Sequence, residues 1–125
     1  MIHGRFATVI NCMDGRTQLP VIAWLKAKLG VDYIDSITEP GADKTMAEGS
    51  LSQREAIRQK ALISVEKHGS RVIAVVAHHD CAGNPVERDK HLQHLAQAAR
   101  TIQSWNLPVQ VLTLWVNERW EAEEV

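Results

Sequence analysis

Two apolar runs constrain this chain most, because each stops abruptly at side chains suited to chemistry. The first, Phe6-Ala7-Thr8-Val9-Ile10, carries β-branched residues and reads as a buried strand. It gives way after Asn11 to Cys12-Met13-Asp14-Gly15-Arg16, a soft ligand followed by an acid and a base. In locally extended backbone Cys12, Asp14 and Arg16 would point to one side, since Met13 and Gly15 separate them. The second run, Val72 to Ala77, ends in the same manner at His78-His79-Asp80-Cys81. The functional reading rests on these two strand ends meeting.

What lies between and beyond the runs supports such a meeting. Thr17-Gln18-Leu19-Pro20 predicts a helix start with proline near the first position, where its missing N–H costs nothing. Val21, Ile22, Leu25 and Leu29 then recur at helical spacing, with Trp24 as packing and Gly30 closing the helix. Val31 to Ile37 reads as a second strand, nearer an edge because it holds two aspartates. Thr38 to Gly49, with Pro40, Gly41 and Gly49, predicts a loop of about a dozen residues. Ser52 and Glu55 fit a capping box opening a helix to about His68, with Ile57, Ala61, Leu62 and Val65 as its stripe and Gly69 at its end. His68, in the last turn, suits the helix dipole.

The third strand is Arg71 to Ala77, and Gly83 and Pro85 mark the tight loop after it. A third helix covers roughly Val86 to Trp105, with Leu92, Leu95, Ala96, Ala99 and Ile102 on its inner face and His91 and His94 beside that face. Val109 to Val116 forms a fourth strand, and the tail from Asn117 predicts a short helix or an arm around Trp120. The order β-α-β-α-β-α-β predicts one α/β domain over residues 1–125, a four-stranded, mainly parallel sheet of order 2-1-3-4 flanked by helices. In such sheets ligands gather beyond the carboxyl ends where the strand order reverses, here between Cys12 and His78.

A chain of 125 residues with 45% hydrophobic content supports one core that buries roughly two thirds of the unfolded surface. A net charge of −1, with both signs mixed along the chain, argues against nucleic acid or an anionic membrane face as partner. No leader pattern opens the chain and no apolar run approaches the ~20 residues of a membrane span, so the expectation is a cytoplasmic protein. Two cysteines are too few for a secreted disulfide scaffold of this size, which favours reduced thiols. In a reducing compartment they are either inert core residues or metal ligands.

Cys12, His78 and Cys81 together offer two thiolates and one imidazole, and three protein ligands leave a tetrahedral ion one open position. Sulfur with imidazole favours zinc over magnesium or calcium. An H-x-x-C alone is weak, whereas both halves at adjacent strand ends are much stronger. For Asp14 and Arg16 the plain alternative is an ordinary turn with a surface ion pair. His3, His79, His91 and His94 read first as idle or solvated histidines, although histidine is the usual side chain for a proton shuttle and His79 stands beside the second motif. Asp80 reads as a turn residue, and Trp105, Trp115 and Trp120 as core or subunit interface.

The C-x-D-x-R of Cys12, Asp14 and Arg16 and the H-x-x-C of His78 and Cys81 resemble the signature of the β-class carbonic anhydrases. The resemblance spans roughly Phe6 to Leu114 in layout, and only the two motifs are specific. It implies zinc held by Cys12, His78 and Cys81, with Asp14 accepting a hydrogen bond from the zinc-bound water and Arg16 holding Asp14. It implies carbon dioxide and bicarbonate as the small-molecule substrate pair, interconverted by a zinc-bound hydroxide. In some members the aspartate instead takes the fourth zinc position in a closed, inactive form. Two further readings stay open: the same scaffold acting on carbonyl sulfide or carbon disulfide, or a catalytically silent zinc protein closed by Asp14.

Two departures from the family pattern stand out. Typical members carry helices before the first cysteine motif, where this chain has five residues, which implies a more open pocket and a homo-oligomer of at least two subunits. They also carry Arg-Asn-Ala-Gly after the second strand, where this chain reads Thr38-Glu39-Pro40-Gly41-Ala42.

Overall fold

The computed structural model describes residues 4–125; the expectation for His3 lies outside the described residues. Strands β1 (Phe6–Asn11), β2 (Tyr33–Thr38), β3 (Val72–His78), β4 (Gln110–Val116) and β5 (Ala122–Glu124) form one sheet of order β2-β1-β3-β4-β5. The first four run parallel, in the order expected, and β5 adds an antiparallel edge with Val116 opposite Ala122. The tail is therefore neither helix nor arm. Asn117 reverses it: its side-chain oxygen accepts from the amides of Arg119 and Glu121, folding a turn that returns the chain along β4.

β1 and β3 are buried along almost their whole length because helices cover both faces. On one face α1 (Gly15–Leu29) seats Val21 and Leu25 on Val9, Ala74, Val76 and Leu114. Each of those two fully buried side chains contributes about 1.5–3 kcal/mol. On the other face α3 (Leu51–His68) and α4 (Arg88–Gln103) cover Ile10, Ile73, Val75 and Trp115. The chain steps outward from β1 to β2 beneath α1, then crosses back over β1 to β3 beneath α3. This reversal leaves a crevice between the carboxyl ends of β1 and β3. No helix among the described residues is long and apolar enough to cross a membrane.

Four local expectations are corrected. The segment read as a loop contains α2 (Ala42–Glu48), which buries Ala42, Asp43, Met46 and Ala47 against α4. Helix α1 starts at Gly15, capped by Asp14, so Pro20 lies inside it instead of at its first position. The capping box of α3 is Ser50 with Gln53, not Ser52 with Glu55: Gln53 N donates to Ser50 Oγ at 3.1 Å, and Ser50 N to Gln53 Oε1 at 2.9 Å. The same pattern occurs twice, two residues apart, and the register that buries Ile57, Ala61 and Val65 selects the earlier one. Finally, α4 turns His91, His94, Leu95, Ala98 and Ile102 inward, leaving Ala96 exposed.

Candidate metal centre

Cys12 follows the last residue of β1, His78 is the last residue of β3, and Cys81 follows one turn later. The two strand ends meet. One donor atom each from Cys12, His78 and Cys81 lies within 4.8 Å of the others, and all three residues are buried. The two sulfurs stand 4.0 Å apart. Two sulfurs bound at about 2.3 Å to one tetrahedral ion would be roughly 3.8 Å apart, so the spacing fits a shared metal. Among the described residues the two thiols are free.

The histidine is prepared in the same sense. Its Nδ1–H donates to the His79 carbonyl at 2.7 Å, which directs the lone pair to Nε2. That Nε2 is buried and has no hydrogen-bond partner among the described residues. An orphaned buried acceptor beside two thiols is costly as it stands, and a metal ion would satisfy it. Burial opposes a charge on His78, but the neighbouring Cys12 sulfur and the His79 carbonyl outweigh it and raise its pKa.

The thiols are electrostatically unequal. The Cys81 S–H beside it draws the Cys12 thiol down to about pKa 4, assisted by His78 and by the amides of Asp14 and Gly41. Cys81, facing that thiolate, is pushed up. The pair thus holds one proton where a dication would hold none, and metal binding must release it. The amides of Asn84 and Gly83 point at the Cys81 sulfur and favour its thiolate form. These loops approach so closely that a Cβ on Gly41, which has φ +60°, would come within 2.6 Å of the Gly83 carbonyl oxygen. Only glycine fits there.

Asp14 and Arg16 do not alternate along a strand. Asp14 caps α1 through the Arg16 amide at 2.9 Å, and Arg16 occupies the first helical turn. The guanidinium turns back in a fork, Nε to Oδ1 at 3.1 Å and Nη2 to Oδ2 at 2.8 Å. That grip holds the Asp14 carboxyl at about pKa 2 and raises the Arg16 pKa. Asp14 Oδ2 ends 4.0 Å from His78 Nε2 and is not among the three clustered donors. The three donors are buried, whereas the Asp14 side chain is 19% exposed, and a cavity beside the centre is lined by Cys81, His79 and Arg88.

Residue-by-residue reading missed two sets of neighbours. Arg16 also reaches Asp80, through Nη1 to Oδ2 at 3.3 Å and Nη2 to the carbonyl at 3.2 Å, and Trp120 lies against it. Behind Cys81, Asn84 Nδ2 donates to Asp43 at 3.0 Å and meets His94 Nδ1 at 2.9 Å, while His91 Nδ1 lies 2.7 Å from Asp43. His91 and His94 are thus buried partners of an acid, not solvated histidines. His79 and Asp80 are exposed, as expected.

Residues 2–125 match the model of the family described as "putative carbonic anhydrase". No curated protein matches the chain. Among solved structures, one of two tetrameric β-carbonic anhydrases from the filamentous ascomycete Sordaria macrospora is similar over 100% of this chain and 82% of its own, with TM-score 0.56 and 11% identity. The β-carbonic anhydrase of the fungal pathogen Aspergillus fumigatus is similar over 99% of this chain and 76% of its own, with TM-score 0.54 and 12% identity. At such identities the likeness is one of fold.

Proposed function

The chain belongs to the carbonic anhydrase family whose model it matches, and from that membership we propose that it hydrates carbon dioxide to bicarbonate at a zinc ion held by Cys12, His78 and Cys81. The observation that carries the reading is the orphaned His78 Nε2, buried beside two thiols at metal-sharing distance. A zinc ion bound there would supply Lewis acidity, lowering the pKa of a bound water to about 7.

The remaining work belongs to the chain. Cys12 and Cys81 bind as thiolates, eased by the four backbone amides around them. The His79 carbonyl fixes the imidazole of His78, so its Nε2 is presented without tautomer loss. Asp14 accepts the remaining O–H of the attacking water, which turns an oxygen lone pair toward the carbon. Arg16 occupies both Asp14 oxygens and keeps the carboxylate ionised. The same fork keeps Asp14 off the fourth metal position, which favours an open site over a closed one. His79, exposed at the rim, is placed to exchange protons with bulk water.

The proposal extends to a cytoplasmic homo-oligomer, supported by the assembly named for the Sordaria proteins. Metal analysis with stopped-flow hydration across pH tests the activity. One zinc per chain and a rate rising with pH are expected. Zinc without hydration at any pH, or no zinc after preparation with zinc and reductant, would overturn the reading.

A further inference from the structure

Trp120 lies outside the proposed centre in sequence and yet stands beside it. The Cζ of Arg16 sits 4.2 Å from the Trp120 ring centroid, well inside the ~6 Å within which a guanidinium is attracted to an aromatic face. The same ring is 6.2 Å from the His78 ring and 6.3 Å from that of His79. This placement is built, not incidental. Trp120 N donates to the Asn117 carbonyl at 2.9 Å and Asn117 N to the Glu121 carbonyl at 3.0 Å, closing a turn in which Trp120 takes φ +58°. Antiparallel pairing of β5 with β4 anchors that turn, with Leu114 opposite Glu124 and Trp115 opposite Glu123.

Arg16 needs such support. Its side chain is 47% exposed and Asp80, its second partner, 71% exposed, so its ion pairs stand largely in water, where long charged side chains are mobile and screened. Asp14 restrains two edges of the guanidinium and Asp80 a third. All of these contacts grip its edges and leave its faces open. The Trp120 ring covers one face, removes water from it and adds a restraint against tilting.

We infer that Trp120 is a positioning residue: its ring holds the Arg16 guanidinium in the plane in which it grips both oxygens of Asp14, and through Asp14 it orients the attacking water. The catalytic part of this inference rests on the proposed hydration; the packing part does not. A residue that merely filled space would be replaced well by leucine, whereas a face that holds a cation is replaced only by another aromatic ring.

The test uses 15N-labelled protein, metal-free and zinc-loaded, with the Arg16 Nε–Hε resonance assigned by its loss in Arg16→Lys. In the wild type that proton should be shifted upfield by the ring current and show nuclear Overhauser contacts to the Trp120 ring. Trp120→Leu should abolish the shift, while Trp120→Phe should keep part of it. In zinc-loaded enzyme Trp120→Leu should lower kcat about tenfold with KM within twofold and zinc content unchanged, and Trp120→Phe should recover most of the rate. Absence of the Overhauser contacts in the wild type overturns the inference, and that measurement needs no variant to fold. A Trp120→Leu protein with an unmoved Arg16 resonance or full kcat overturns it as well. A wild type that shows the contacts but hydrates nothing at any pH overturns the proposed activity instead, leaving Trp120 as the residue that orders Arg16.

Discussion

The Asp14 carboxylate stops 4.0 Å short of His78 Nε2, held there by the guanidinium fork of Arg16. It is close enough to touch a small molecule at the centre, and the fork on both its oxygens holds it apart from the three clustered donors. Asp14→Ala should therefore keep the metal and lose turnover by about 10²–10⁴-fold, the usual worth of a positioned acid or base. Metal content measured on the same sample as the hydration rate checks both halves. A variant that lost zinc would make Asp14 a ligand.

Cys81→Ser exchanges a thiolate for a poor zinc donor in a buried position and should abolish tight binding. Because zinc would bind only the assembled site, free zinc at a hundredfold over Kd should stabilise the wild type by about 2.7 kcal/mol and so raise its melting temperature. Differential scanning calorimetry with and without zinc should show that shift in the wild type and none in Cys81→Ser.

The parallel order and the meeting of Cys12 with His78 were legible because they depend on long apolar runs separated by helices, a signal that survives local ambiguity. Short-range features were not. Helix α2 stayed hidden because glycines flank it and because Asp43, buried, looks like a surface residue until its partners His91 and Asn84 are known. The same partnership rotates α4: two imidazoles point inward only because an acid waits in the core. Trp120 could be read as apolar but not as a lid on Arg16, since that contact depends on a turn created by the Asn117 side chain. The site itself divides the same way, with three donors readable from two strand ends and their supports visible only in three dimensions.

The ion pair of Asp14 makes a pH prediction. Its pKa is held at about 2 by Arg16, below its ordinary 3.8, so the stabilisation is complete above pH 3.8 and fades as pH falls toward 2. In metal-free protein the stability difference between wild type and Asp14→Asn should be flat from neutrality to about pH 4 and then shrink. Urea unfolding at a series of pH values measures it. A difference that grew as pH fell through that window would contradict the arrangement.

Asp43 carries the last expectation. It is 1% exposed, takes hydrogen bonds from Asn84 and His91, and stands 3.8 Å from His94 Nδ1. Removing the acid strands the buried imidazole of His91 and takes one acceptor from Asn84, whose backbone N–H also serves Cys81. Leaving buried polar groups without their partner costs about 1–3 kcal/mol each. Asp43→Ala should lose that much in denaturant unfolding and should bind zinc more weakly, because the loop carrying Cys81 loses its brace. Replacing the exposed Glu48, 3.8 Å from His94 Nε2, should change stability by less than about 1 kcal/mol. Equal losses in the two variants would mean that the buried network is not what holds the loop.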